Sequence, residues 1–134
     1  MYLIKEYTMK NISIAIGRIM LGHIFLLAGI SKISAYAGTQ AYMASMGVPG
    51  ILLPLVIATE ILGGLAVILG WQTRWASLAL AGFTLLAGMI FHTDFSNQMQ
   101  SIMFMKNIAI AGGLIILAAQ GAGTMSVDGR LGKA

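Results

Sequence analysis

Four stretches of this chain are each long and apolar enough to cross a lipid bilayer. A spanning helix needs about 20 mostly apolar residues. Residues of about 11–33, 51–69, 75–91 and 103–119 meet that length, or nearly so, between clear turn signals. Gly47-Val48-Pro49-Gly50, Gly70-Trp71-Gln72-Thr73-Arg74 and Thr93-Asp94-Phe95-Ser96-Asn97 separate them, and Gly121-Ala122-Gly123 closes the last. The chain is 58% hydrophobic and only 9% charged, whereas a soluble domain carries about 25% charged residues. That balance excludes a water-soluble globule of 134 residues. The expected fold is an all-α membrane protein: a four-transmembrane-helix bundle forming a single membrane domain over residues 1–134. The first outer loop, Ser31 to Gly50, is too long for a turn, and its Tyr36, Gln40, Tyr42, Met43 and Met46 predict a short interfacial helix.

The charges inside two of the segments do not prevent insertion. Between Ile51 and Leu69, twelve Leu, Ile and Val residues stand against Glu60. They favour insertion by roughly 5 kcal/mol, against about 2.5–3.5 for one central acid. Ten such residues offset Arg18 in the first segment. The third and fourth segments, richer in Ala and Gly, are expected to insert as a hairpin. Lys5, Lys10, Arg74, Arg130 and Lys133 share the side of the termini, whereas Lys32 and Lys106 mark the other. Positive residues favour the cytoplasm, so both termini are expected there. Ala35-Tyr36-Ala37 resembles a signal-peptide cleavage site. The apolar stretch before it, however, exceeds the roughly 7–15 residues of a signal core and carries Arg18 and His23. The first helix should stay uncleaved. The last eleven residues read as a loose tail.

Cysteine is absent, which removes disulfides, thiolate metal sites and thiol redox chemistry. The net charge of +4 comes from scattered cations without a basic patch, so nucleic acid is not an expected partner. Neither paired catalytic carboxylates nor a Ser-His-Asp set points to hydrolysis.

Ionisable residues inside a bilayer are candidates for function, each in need of a partner. Arg18, Gly22, Phe25, Gly29 and Lys32 recur at spacings of four and three on one face of the first helix. Glu60 shares a face with Ile57, Gly63, Gly64 and Val67, and the glycines there invite close helix approach. Ser77, Ala81, Thr84 and Gly88 make a similar stripe on the third helix, and Lys106, Ala109, Gly113, Leu117 and Gln120 are read as the inward face of the fourth. At 1.5 Å per residue, Arg18 falls roughly 9 Å and Glu60 roughly 15 Å from the inner side. An Arg18–Glu60 ion pair is therefore expected, either fixing helix register or flooring a polar pocket. The same arithmetic puts His23 roughly 16 Å and His92 roughly 25 Å deep, too far apart for a shared haem or metal site. Lys32, His92, Lys106 and Asn107 gather instead at the outer level, with Asp94 nearby. These donors suit a quinone carbonyl, an oxyanion or a lipid phosphate, with the first turn of the fourth helix adding its free N–H groups; the alternative reading is that each cation serves only as an anchor to lipid headgroups.

Read in order, several motifs resemble the DoxX family of small bacterial inner-membrane proteins, in its YqjF-like branch. They are Gly17-Arg18 with Phe25-Leu26-Leu27-Ala28-Gly29 and Lys32, Tyr42-Met43 with Met46-Gly47-Val48-Pro49-Gly50, and Glu60-Ile61-Leu62-Gly63-Gly64. Thr73-Arg74, Ala81-Gly82-Phe83-Thr84, Phe91-His92, Phe104-Met105-Lys106-Asn107 and Gly112-Gly113 complete the set. The resemblance implies a four-helix inner-membrane protein. Some relatives are subunits of a thiosulfate:quinone oxidoreductase or membrane parts of an oxidative-stress complex. It further implies a bound quinone or small anionic substrate lined by Arg18, Glu60, His92, Lys106 and Asn107. The expected partners are the bilayer, a subunit of a redox complex and a second copy of the chain. Distant eukaryotic relatives that act in cargo export or receptor assembly supply the alternative, a non-enzymatic scaffold or assembly factor. A small-solute carrier or lipid-binding role is the third reading. A quinone-linked component predicts an internal cavity open to lipid and lined by Glu60 and Lys106; a scaffold predicts a filled bundle.

Overall fold

A computed structural model describes residues 1–134 as six α-helices without strands. They are α1 (Tyr2–Ser34), α2 (Tyr36–Ser45), α3 (Leu53–Leu69), α4 (Thr73–Phe91), α5 (Gln98–Gln120) and α6 (Val127–Arg130). Four segments, Tyr2–Ser34, Gly50–Leu69, Thr73–Phe91 and Gln98–Gln120, are long and apolar enough to span a membrane. The first loop folds as α2.

Local chemistry sets the helix ends. Pro54 occupies the first turn of α3, where its missing N–H costs nothing. Gly70 ends that helix at φ +69°, and Trp71 N–H donates back to the Ala66 carbonyl at 2.8 Å. Asn97 caps α5, its side chain accepting from Met99 and Gln100 N–H, so the helix starts five residues before the predicted 103. Helix α1 starts nine residues early because nothing from Tyr2 to Lys10 breaks it. Its 33 residues span roughly 50 Å, and residues 1–10 are all exposed.

Helix α1 packs along α3, and α4 along α5, while the two pairs meet more sparingly. At the centre are Phe25, Val67, Leu80, Ala81, Ala111, Leu114 and Leu117. Many of the large apolar side chains, such as Ile16, Leu62, Met89 and Ile116, point outward instead, as lipid requires. The buried stripes on α1, α3 and α4 fall where the spacing places them. On α5 the inward face is instead Ala111, Leu114, Leu117 and Ala118, with Lys106, Ala109 and Gln120 exposed. The predicted stripe is rotated there because its spacing starts from Lys106, which is exposed and not part of the packed face.

The tail is not loose. Thr124 N–H donates to Asn11 Oδ1 at 2.9 Å, and Asp128 N–H to the Gly70 carbonyl at 2.8 Å. Both chain termini therefore lie at one end of the bundle, beside the α3–α4 turn. Helix α2, the start of α3, the end of α4 and the start of α5 form the opposite end.

Candidate functional site

The α1–α3 crossing fixes the height of every polar group on it. Gly22 and Gly64 bring the backbones together: a Cβ on Gly64 would stand 2.8 Å from the Leu26 nitrogen and 2.9 Å from the Gly22 oxygen. One to two turns further, Gly29 faces Glu60 and Ile61. Lys32, at the end of α1, then reaches back, and its Nζ donates to Glu60 Oε1 at 2.9 Å. This is the single ion pair in the chain. Glu60 is 5% exposed. Its other oxygen, Oε2, is buried without a hydrogen-bond partner.

The expected Arg18–Glu60 pair does not form. Arg18 lies level with the end of α3, where Nη1 donates to the Ile68 carbonyl at 3.0 Å and Nη2 to the Met125 carbonyl. The depth arithmetic fails because α1 begins far outside the assumed span, so Arg18 starts lower on the α3 register. Eleven residues separate Arg18 from Gly29, the residue opposite Glu60; that is roughly 16 Å along the helix. Arg18 satisfies the Ile68 carbonyl, which the last turn of α3 leaves open, together with one from the tail, and sits at the negative end of that helix.

Related contacts close the rest of this end. Arg74 Nη1 donates to the Ala118 and Ala119 carbonyls at the end of α5, both at 2.9 Å. Asp128 accepts from Gln72 and Thr73 N–H, each at 2.9 Å, at the positive start of α4. Burial alone would push the Asp128 carboxyl up. The hydrogen bonds from Thr73 and Gln72, with the charge of Lys133, outweigh it and hold the group below the usual carboxylate range. Sequence reasoning missed Asp128 because the tail looked unanchored; the Ser126-Val127-Asp128-Gly129 run, whose Ser126 Oγ caps Gly129 N–H, was the available signal.

The opposite end holds a cavity of about 620 Å³ between the two helix pairs. Its walls are mainly apolar, contributed by α1, α2, α3, α4 and α5. Helix α2 covers it through Thr39, Tyr42 and buried Met43, and the Tyr42 ring stacks on Phe91 at a centroid distance of 5.5 Å. Leu55 of α3 and Leu86 of α4 also border it, yet each is more than half exposed on the outer surface. The cavity is therefore open to the surroundings, beside Leu55 and Leu86 among other exposed lining residues.

Five of the six candidate residues line this cavity: Lys32, Glu60, His92, Lys106 and Asn107. Arg18 does not. His92 Nδ1 donates to Gln100 Oε1 at 2.8 Å, whereas Asp94 turns to the Ser96 N–H and hydroxyl and leaves His92 alone. Asn107 Nδ2 donates to the Thr84 carbonyl at 3.1 Å, keeping one amide hydrogen free. Lys106 is exposed at the mouth with no ion-pair partner. Thr84, a member of the predicted small-residue stripe, proves a lining residue whose buried Oγ1 also lacks a partner. His23 is exposed, bonded to the Met20 carbonyl, and outside the cavity.

Four apolar helices with an ion pair and an open cavity between them define a multi-pass membrane protein. The family model described as DoxX matches residues 13–93, and the chain belongs to the DoxX family. It is 47% identical over 125 residues to "Inner membrane protein YqjF" of Escherichia coli (strain K12), covering 93% of this chain and 96% of that one. It is 33% identical over 128 residues to "Inner membrane protein YphA" of the same organism, covering 90% and 91%. A 73-residue stretch is 33% identical to "Putative oxidoreductase CatD" of Bacillus subtilis (strain 168), 54% of either chain. No solved structure matches. The protein is a multi-pass protein of the inner membrane.

Proposed function

We propose that the chain is the membrane component of a quinone-linked oxidoreductase and binds a quinone or small anionic substrate in the cavity beside Glu60. The carrying observation is the cavity itself. Its volume lies within the roughly 300–1,000 Å³ of small-molecule sites, and it combines apolar walls with a few convergent polar groups, as such sites do. A scaffold needs no such space. The oxidoreductase name of CatD points the same way.

The residues fit a flat ring with polar oxygens and an apolar tail. Phe25, Phe83 and Ile110 provide apolar wall, Lys106 and Asn107 donate at the mouth, and Glu60 with Thr84 leaves buried polar atoms unpaired inside. A quinone, when bound, supplies two-electron, two-proton chemistry. Lys32 holds the Glu60 carboxylate in place, and the opening admits a tail from the bilayer. The chain has no Cys, so no thiol supplies the electrons; the donor belongs to a partner subunit. Both termini face the cytoplasm in this reading.

Purification from native membranes in mild detergent, followed by solvent extraction and mass spectrometry, tests it. An isoprenoid quinone should accompany the wild type and be depleted in Lys106→Met, but not in Lys10→Met or Lys133→Met. If the wild type carries and binds no quinone or anionic substrate, the reading fails and the scaffold role replaces it.

A further inference from the structure

The charges on the cavity wall do not cancel. Lys32 and Lys106 line it as cations, and Glu60 is the only acid among the lining residues. The Glu60 charge is already engaged: Lys32 holds Oε1 at 2.9 Å, and Oε2 is buried away from the open space. Lys32 keeps N–H groups beyond the one given to Glu60, and Lys106 has no ion-pair partner. Asp94, the acid at the same end, bonds to Ser96 and does not line the cavity. One positive charge is therefore left over. A cleft of one sign between low-dielectric walls attracts and holds the opposite charge. The remaining wall is mainly apolar, with Phe25, Val56, Phe83 and Ile110, and offers a bare inorganic oxyanion nothing in exchange for its hydration.

Resting on the reading above that this cavity holds a small molecule, we propose that its ligand is an anionic amphiphile: a phosphate or carboxylate head beside Lys106 and Lys32, with an apolar body between the helix pairs. The cavity of about 620 Å³ is about twenty times a water molecule's share of liquid volume, about 30 Å³. It therefore admits a body of a dozen or more heavy atoms. A neutral quinone accepts from the same N–H groups but leaves the extra charge uncompensated. An anionic head accepts from them and neutralises that charge as well. The apolar body replaces water along the walls, which an inorganic anion cannot do. The charged head is worth about tenfold or more in affinity over a neutral head on the same body.

The test is binding of dodecyl phosphate and dodecanoate to the full chain in phosphatidylcholine nanodiscs, with affinity expressed per mole fraction in the disc lipid and empty discs subtracted. At least one of them should bind about tenfold or more tightly than dodecanol, their neutral counterpart. Inorganic phosphate at the same concentration should not compete. Lys106→Met should weaken the anion at least about tenfold and leave dodecanol unchanged, whereas Lys106→Arg keeps the charge and should retain it. Lys106 is exposed and unpaired, so neither change disturbs the fold. Lys10→Met removes the same charge at the other end and should change nothing, which separates the site from general attraction to a chain of net charge +4. Phosphatidylglycerol added to the disc identifies the source of the head: competition assigns it to a membrane phospholipid, no competition to a free acid, and both support the anion site. Anions no tighter than dodecanol, or an equal loss in Lys10→Met, would overturn the inference; decylubiquinone bound in the same discs would leave the quinone reading standing. Binding of no probe would overturn both.

Discussion

Removing Lys32 should unbalance the bundle more than removing any other cation on α1. Lys32→Met leaves the Glu60 carboxylate, 7% exposed in its side chain, with neither oxygen bonded. Breaking a buried pair by deleting one member costs about 3–5 kcal/mol. The Lys32 side chain is 28% exposed, and screening through that opening brings the expected loss to about 2–3 kcal/mol. Lys32→Met with Glu60→Gln removes the stranded charge together with its partner and should cost only about 1 kcal/mol. The Glu60→Gln change alone keeps an oxygen for Lys32 and should also be mild. The assay is a double-mutant cycle on unfolding in mixed micelles, followed by far-ultraviolet circular dichroism. A coupling of about 1–2 kcal/mol is expected for Lys32 with Glu60. The Arg18→Met and Glu60→Gln changes should add within about 0.5 kcal/mol, because Arg18 bonds to the end of α3 instead. Additivity for Lys32 and Glu60, or coupling between Arg18 and Glu60, would refute the register described above.

Other perturbations separate the remaining contacts. Gly64→Ala should destabilise the α1–α3 crossing strongly, since its Cβ meets backbone of Leu26 and Gly22, whereas Gly17→Ala meets nothing within 4 Å and should gain about 1 kcal/mol of helix propensity; thermal unfolding of the two variants compares them. Asp128→Asn should cost about 1–2 kcal/mol near neutral pH through loss of the α4 cap. The folded Asp128 carboxyl is held low, so its contribution is complete above the ordinary value of about 3.9 and is lost as pH falls through the lower folded value; the gap between wild type and variant should close in acid. A periplasm-active reporter fused after Arg130 should be silent and one inserted near Gln40 active; the reverse pattern would invert the proposed topology.

The parts legible in the sequence are those governed by periodicity and hydropathy. The faces of α1, α3 and α4 follow from where small and polar residues recur, and Lys32, His92, Lys106 and Asn107 follow from their common level near the outer ends, whereas Glu60 entered as the expected partner of Arg18. The ion pair was not legible, because pairing depends on the relative height of two helices. That height is set by the Gly22–Gly64 contact, and counting residues from assumed span edges shifted Arg18 inward by about two turns. The closure of the other end escaped for a different reason. Arg18, Arg74 and Asp128 bind backbone groups at helix ends, and such partners carry no side-chain identity for a sequence pattern to reveal. The cavity roof depended on α2 folding back, which brings Tyr42 onto Phe91 across 49 positions of chain.

The opening beside Leu55 and Leu86 changes what concentration means for the proposed ligand. A ligand entering there arrives from the hydrocarbon, so the quantity that sets occupancy is its mole fraction in the bilayer. A compound almost insoluble in water can then saturate the site while its aqueous level stays negligible. Added lipid or detergent dilutes such a ligand in the phase that matters and weakens apparent binding without touching one contact. Diffusive search is confined to two dimensions, so capture depends on the width of the opening beside Leu55 and Leu86. A bulkier side chain at either position should slow entry and exit together, leaving affinity at equilibrium nearly as it was.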